Sequence, residues 1–456
     1  MAKNNIIRDY TKGPIWWPMV LFALPFMLSN GLQVLYSVVD MLIVGQFLGK
    51  VGVAAVSNAG RIFIFLTMVC LGLSLSGQIY ISQLIGQGER GEKINKTIGT
   101  YFFSQLVIGA IMTVIGLLLT DWIIAVLEVP SEAIKDARSY LRVTTAGLVF
   151  SYGYNMISGV LRGMGNSRHP FVFIAIASVI NIVLDFVFIK YCGLGVFGAG
   201  LATILGQVIA FIYAFIFLYC RRQEFGFDFK LKSFIPSSEI FNALMKLGVP
   251  YVIRFASINV SMLYVIRLIN KLGVNEATVF GAGVQLDDIV TKVTLGIMMA
   301  GTAMVGQNYG ARQFARINKI VSYAWLFSAS FYVVFASLLL MFPKQLIGMF
   351  TNEPEVVALA PVFAYSIAWQ FPGLVLMRGT NSFLNGIGHA KLGLIFALLD
   401  GVVLRIGLSW FFGMYLGMGF RGFVLGYGVA CYGMGVPALI YYLFFPWKNR
   451  KLVTES

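Results

Sequence analysis

Gln83-Leu84-Ile85-Gly86, followed by Ile94-Asn95-Lys96, returns later in the chain as Gln307-Asn308-Tyr309-Gly310, followed by Ile317-Asn318-Lys319. Each stretch closes a long apolar block and opens a polar, basic connection. The recurrence extends outward from this pair. Leu161-Arg162-Gly163-Met164-Gly165 is matched by Leu384-Asn385-Gly386-Ile387-Gly388, and Leu48-Gly49 by Leu272-Gly273. Gly195 and Gly200 are matched by Gly417 and Gly422, and Pro25 by Pro250. A lone glycine at the end of an apolar block means a tight turn or a close helix approach. A whole set recurring near one offset means an internal duplication.

The blocks between these markers are long enough to cross a bilayer. Of the 456 residues, 58% are apolar and 12% are charged, about half the charge of an average soluble domain. A crossing helix needs about 20 consecutive apolar residues. Polar breaks divide the chain into twelve such spans: 15–46, 52–82, 96–120, 139–163, 170–191, 196–220, 243–271, 277–307, 318–342, 355–384, 391–414 and 419–446. The fold class expected is an all-α membrane protein of twelve transmembrane helices. It has two six-helix halves, residues 1–220 and 242–446, joined by a cytoplasmic linker at 221–241 and followed by a cytoplasmic tail at 447–456. An even number of spans per half gives both halves the same orientation. They are then related by a pseudo-two-fold axis along the membrane normal, with a cavity at their interface.

Basic residues set the orientation. One set of connections carries Arg90, Lys93, Lys96, Arg162, Arg168, Arg221, Arg222, Lys230, Lys232, Lys246, Arg312, Arg316, Lys319 and Lys391. The tails, with Lys3, Arg8, Lys12, Lys448, Arg450 and Lys451, fall on that side too. On the other side Lys50, Lys135, Arg138, Lys190, Lys271, Lys344 and Arg421 are diluted by acids, among them Asp121, Glu128, Glu132, Asp136 and Glu276. The positive-inside rule then makes both termini cytoplasmic in a plasma (inner) membrane protein. It also accounts for the net charge of +15 without nucleic acid as a partner. Trp16, Trp17, Trp122 and Trp447 stand where interfacial anchors belong.

No constellation for covalent chemistry stands out. Cys70, Cys192, Cys220 and Cys431 lie singly, and the two histidines, His169 and His389, lie in polar connections. There is no metal-ligand spacing, phosphate-cradling loop or nucleophile elbow. The expectation is a non-enzyme without a cofactor and with no metal site, apart from a sodium ion in a coupling role.

The duplication, the Pro25…Asp40…Gly45…Leu48-Gly49 pattern around the first span and the Gly-x-Gly turns before spans 5 and 11 resemble the multidrug and toxic compound extrusion (MATE) family over nearly the whole chain. The other obvious twelve-span group, the major facilitators, carries a Gly-x-x-x-Asp-Arg-x-Gly-Arg loop after span 2. Gly86–Gly91 matches it poorly.

An ionisable side chain at mid-membrane costs roughly 2.5–3.5 kcal/mol on insertion scales and calls for a function or a partner. Counted by helix rise, Asp40 on span 1, Asp185 on span 5 and Thr203 on span 6 fall at one depth in the outer half of the membrane. Asn181 is four residues before Asp185 and Tyr36 four before Asp40, so each shares its aspartate's helix face. In the DinF-like branch of the family, an acid on span 1, an Asn-x-x-x-Asp on span 5 and a threonine on span 6 form the ion-coupling site. Asp40, Asn181-x-x-x-Asp185 and Thr203 match that pattern. The alternative is a permanent salt bridge from Arg61 on span 2 to Asp40.

The second half carries Asp287, Asp288, Asp400 and Arg254 near mid-depth, as candidates for the substrate cavity. One of the adjacent aspartates is expected to contact Arg254 or Arg405 and the other to face the cavity. The acids on spans 7 and 10 that another branch of the family uses for sodium are absent. Pro25 permits a helix bend below Asp40. Pro250 has Tyr264 where an acid would match.

The resemblance implies a secondary transporter. It exports organic, cationic and amphipathic small molecules by antiport with H+ or Na+, and works as a monomer among membrane lipid. A lipid or lipid-linked precursor flippase of related fold is the competing reading, motivated by the intramembrane arginines. Transport without a cation gradient would favour it.

Overall fold

The computed structural model describes residues 7–127 and 129–455, and among these every regular element is helical. Lys3 and Glu128, both counted in the charge reading, lie outside the described residues. Spans α1 (16–48) and α2 (50–86) run as one helix, Trp16–Gly86. Its backbone leaves helical geometry only at Gly49, with φ 65° and ψ −163°. A side chain at that φ is strained, so one glycine makes the reversal between two spans. Next come α3 (Glu92–Leu118) and α4 (Ile134–Ala146 and Leu148–Gly163, divided at Gly147). α5 (Arg168–Tyr191) and α6 (Gly195–Cys220) complete the first half. The second half runs through α7 (Ser238–Asn270), α8 (Val274–Gly310) and α9 (Phe314–Met341). α10 (Pro354–Ile367 and Gln370–Gly386) is bent by 48°, and α11 (Ala390–Tyr415) and α12 (Gly419–Phe444) follow.

The duplication is written into the backbone. Glycines with positive φ recur as the pairs Gly49 and Gly273, Gly165 and Gly388, Gly193 and Gly417, and Gly195 and Gly419, so the structural partner of Gly195 is Gly419 and not the Gly417 expected from the sequence. The last turn of α5, Val187–Tyr191, is a π-helix, and so is the matching Phe411–Tyr415 of α11. A further π segment, Leu399–Leu404, begins one residue before Asp400 and is seen only in the second half among the described residues.

The chain forms two compact units. The first takes Leu24–Gly248 with residues 7–9. The second takes Tyr10–Ala23 and the chain from Val249 onward. The opening turns of α1 therefore belong to the second unit and those of α7 to the first. Each exchange ends within two residues of a proline, Pro25 or Pro250. In the second unit the Tyr10 N–H donates to Gln307 Oε1 (2.8 Å), and Asn308 Nδ2 and Arg316 Nη2 donate to the Tyr10 carbonyl (3.1 and 3.0 Å). Met19 and Phe22 are fully buried there.

In the first unit the 221–241 linker is docked rather than loose. The Asp228 N–H donates to Asn95 Oδ1 (3.1 Å), Asn95 Nδ2 donates to Ser233 Oγ (3.2 Å), and the Ser237 N–H donates to Thr100 Oγ1 (3.0 Å). The Ser233 hydroxyl donates to Asp228 Oδ1 (2.6 Å) and holds that carboxyl below its usual range. Stability from this contact is present at neutral pH and fades as pH falls through the lowered value. Phe227 and Phe234 meet edge-on at 5.2 Å, and Phe234 reaches Phe102 of α3 at 5.5 Å.

Trp447 is not an interfacial anchor. It is 4% exposed and packs with Phe383, Tyr442 and Phe314, because the chain after α12 turns back under the second unit. Trp16, Trp17 and Trp122 are exposed, as anchors require.

Close docking of the linker depends on Gly99, where a Cβ would stand 1.8 Å from the Ser233 carbonyl oxygen. Overpacking of this kind costs about 1–3 kcal/mol. Gly99→Val is therefore expected to lower the melting temperature and to speed trypsin cleavage after Lys230 and Lys232. Cleavage at the wild-type rate would show that the linker is not held at Gly99.

Candidate functional site

The apolar sequence of α5 and α6 leaves few polar positions, and helix spacing gathers them. Asn181 and Asp185 share one face of α5, and Ser178, three residues before Asn181, extends it. α6 comes close to that face because Gly206 has no side chain: a Cβ there would lie 3.1 Å from the Ala177 carbonyl oxygen and 3.4 Å from Asn181 Cβ. One turn away Thr203 lines the same cavity, its hydroxyl donating to the Ala199 carbonyl at 3.0 Å. Tyr36, Ser178, Asn181, Thr203 and Gln207 line a cavity of about 20 Å³, the room of a single water or small ion.

The two carboxyl groups meet beside this cavity. Asp40 of α1 and Asp185 of α5 reach each other's side chains. Asp185 is fully buried and Asn181 is 4% exposed. Beyond the contact between the acids, Asp40 Oδ1, both Asp185 oxygens and Asn181 Oδ1 and Nδ2 have no hydrogen-bond partner. A buried carboxyl oxygen in that condition is costly. Two carboxyls in contact share a proton or bind a cation between them. The orphaned acceptors are all oxygens, the donor type suited to a proton or a hard cation. One turn further along α1 and α5, Val44 and Ile189 belong to an apolar cluster that includes Val56, Ile124 and Leu141.

The structure thus brings together Tyr36, Asp40, Asn181, Asp185 and Thr203. It adds Tyr140 of α4, buried, whose hydroxyl reaches Thr203 and whose ring joins the apolar cluster. Ser178 was legible from helix spacing. Nothing in the sequence marks Tyr140, which reaches the site only through the packing of α4 on α6. Arg61 is exposed and makes no ion pair among the described residues, so the salt-bridge alternative for Asp40 has no support in the geometry.

The second unit departs from expectation. Neither Asp287 nor Asp288 pairs with Arg254 or Arg405. Asp400 takes Arg405 instead, at 3.0 Å between side chains that are 2% and 12% exposed. The guanidinium also lies over the Tyr427 ring at 4.8 Å. The π segment at Asp400 widens α11 by one residue and lets the aspartate reach an arginine five residues on. Asp287 Oδ1 accepts from Gln370 Nε2 at 2.7 Å, and Asp288 lies exposed within electrostatic reach of Lys292. Arg254 is buried. Arg378 of α10, also buried, was missed in the sequence, although the rule that singled out Arg254 applies equally to it.

Fold and site together define a duplicated, multi-span helical membrane protein with an ionisable site inside its first unit. The chain belongs to the MatE family, whose model matches residues 25–187 and 250–411, one segment in each half. It is 32% identical to the probable multidrug resistance protein YpnP of Bacillus subtilis, over 98% of this chain and 99% of that one. It is 25% identical to the probable multidrug resistance protein YoeA of the same organism, over 98% and 97%. Among solved structures it resembles an outward-facing MATE family multidrug resistance transporter, with a TM-score of 0.90, 22% identity and 99% and 100% coverage. A MATE structure in a bent conformation gives a TM-score of 0.90 at 23% identity, covering 97% of each chain. These likenesses show the shared two-lobed, twelve-helix fold.

Two substitutions separate the roles of these charges. Arg61→Gln is expected to leave the melting temperature and transport near wild type; loss of both would restore the salt-bridge reading. Asp400→Asn removes one partner of a buried pair, which typically costs about 3–5 kcal/mol. It should lower the melting temperature clearly, and the double change Asp400→Leu with Arg405→Met should recover it. No change in Asp400→Asn would mean that the pair holds nothing together.

Proposed function

We propose that this chain is a secondary active transporter that exports small organic compounds, cationic and amphipathic ones among them, by antiport with protons or sodium ions. The observation that carries the reading is the contact of Asp40 with Asp185 among orphaned oxygens on α1 and α5. Family membership and the multidrug resistance names of the relatives support export. The same names disfavour the flippase alternative. The setting proposed is the plasma membrane, with both termini cytoplasmic by the charge rule and the monomer as the working unit.

The coupling follows from charge. With both acids ionised, mutual repulsion and the need for solvation favour a packing of α1, α5 and α6 that admits water. A proton or a cation shared by the acids removes the repulsion and lets the three helices close. Ion binding thus biases a two-state packing, and cargo that prefers the open packing is released when the ion binds. Pro25 lies within α1, and Ser29 Oγ donates to its carbonyl at 2.8 Å. Proline removes one backbone hydrogen bond of the helix and makes this the place where α1 bends most easily. Pro250 has no acid above it, so α7 should respond less to pH.

Proteoliposomes with a pH gradient and a sodium gradient imposed separately test the proposal. Gradient-driven export is expected for the wild type and is lost in Asp40→Asn and in Asp185→Asn, while both variants still insert and bind cargo. Full export by both variants would place coupling elsewhere. Export without either gradient would favour the flippase reading. Spin labels at the outer ends of α1 and α7 should show a pH-dependent distance change at α1; a change confined to α7 would refute the bend.

A further inference from the structure

The second unit holds more buried positive charge than it neutralises. Arg254 of α7 is 8% exposed and Arg378 of α10 is 5% exposed. Neither has an ion pair among the described residues. Arg378 donates only to neutral acceptors: Nε to Thr294 Oγ1 at 3.1 Å, and Nη2 to the Thr291 carbonyl at 3.3 Å and Tyr332 Oη at 3.4 Å. Arg254 is less provided for: its Nε has no hydrogen-bond partner. Three residues earlier, on the same face of α7, the Tyr251 hydroxyl is buried and also unpartnered. The two arginines lie within electrostatic reach of each other. Around them stand the Asp400–Arg405 pair and Asp287. Three interior guanidiniums therefore face two carboxylates, and the more exposed Asp288 and Lys292 offset each other. One positive charge is left over.

The first unit has a half-buried arginine of its own, Arg162, which donates to the neutral Gln78 Oε1 (3.1 Å) and Ser74 Oγ (2.8 Å), but nothing that matches the more deeply buried Arg378. At the offset that pairs Leu161 with Leu384, the position matching Arg378 is Asn155, a neutral residue that donates to the Ser151 carbonyl. The duplication copied the helices and the glycine turns but not these charges: the orphaned atoms include carboxyl oxygens of Asp40 and Asp185 in the first unit and Arg254 Nε in the second. An uncompensated guanidinium away from water costs several kcal/mol, and a fold can keep one at lower cost when an anion completes it. We infer that Tyr251, Arg254 and Arg378 form a binding site for a monoanionic oxyanion group, a carboxylate or a phosphate. The surroundings of Arg378 are aromatic: Tyr332, which accepts from it, is stacked on Phe371 at 5.9 Å, and Phe335 is edge-on to Phe371 at 5.6 Å. The group bound is accordingly the head of an amphipathic molecule, either an organic anion or an anionic lipid. The inference does not depend on the antiport reading, since binding needs no ion gradient.

The test is binding and thermal stability of the full-length protein in nanodiscs of zwitterionic lipid. The probes are dodecyl phosphate, inorganic phosphate and dodecyltrimethylammonium. Dodecyl phosphate is expected to bind and raise the melting temperature. Arg254→Gln and Arg378→Gln should each weaken it about tenfold or more, the scale of a lost charge-assisted hydrogen bond, and leave dodecyltrimethylammonium binding unchanged. Arg378→Lys should retain part of the affinity. Without ligand, Arg254→Gln should melt no lower than wild type, because it removes a cation that has no partner. In phosphatidylglycerol nanodiscs, a dodecyl phosphate effect that disappears identifies a lipid headgroup as the occupant, and one that persists identifies an organic anion. Equal dodecyl phosphate binding by wild type and both glutamine variants overturns the inference. So does a ligand-free Arg254→Gln protein that melts well below wild type, since Arg254 would then be a structural partner of Asp400.

Discussion

A charge carried away from water must be matched by another charge, by hydrogen bonds or by a ligand, and this requirement organises the interior of both units. In the first unit it is met by contact: Asp40 and Asp185 come together on largely apolar helices, and among the described residues neither has an ion-pair partner. A structural pair would have ended the matter, as Arg405 does for Asp400 in the second unit. The open balance at Asp40 and Asp185 ties the packing of α1 to whatever proton or cation they hold. Transport, in this account, is that dependence coupled to a helix that bends.

The backbone makes the dependence mechanically useful. Gly206 brings α6 close enough to α5 for Thr203 and Asn181 to share one small cavity. Gly49 lets α1 and α2 reverse without a loop, so movement of α1 above Pro25 passes directly into α2. The exchange of opening turns places Tyr10–Ala23 in one unit and the rest of α1 in the other, with the division beside Pro25. The docked linker gives α7 a matching start in the first unit. Both first helices of the repeat are thus held at their opening turns, and their later parts carry the difference between the halves: Asp40 on α1, Tyr264 on α7.

Much of this was legible in the sequence, for a physical reason. Gly49, Gly165, Gly195 and their partners stand where the backbone takes a conformation that side chains resist, so the duplication survives in residue identity. Helix rise and the four-residue repeat place Tyr36, Asp40, Asn181, Asp185 and Thr203 together, because α-helical geometry leaves little freedom over such distances. What depended on packing between distant segments stayed hidden. Tyr140 reaches Thr203 through the seating of α4, and the linker docks because Gly99 faces Ser233. Asp400 captured Arg405 through a π segment that no local pattern announces, which left Asp287 and Asp288 without the arginine partners expected for them. Arg378 differs from these, since its position alone within a span was signal enough.

On the proposed mechanism, cargo and coupling ion compete through Asp40 and Asp185. Linkage requires the effect to be reciprocal: if ion binding expels cargo, cargo binding expels the ion. The direct measurement is ion release when a lipophilic cation is added to the purified protein in weakly buffered solution. Protons are followed with an indicator dye and sodium with a selective electrode. Release of one of the two ions is expected from the wild type, and none from Asp40→Asn or Asp185→Asn that still bind the probe. Probe binding with no release of either ion from the wild type, or equal release from both variants, would contradict it.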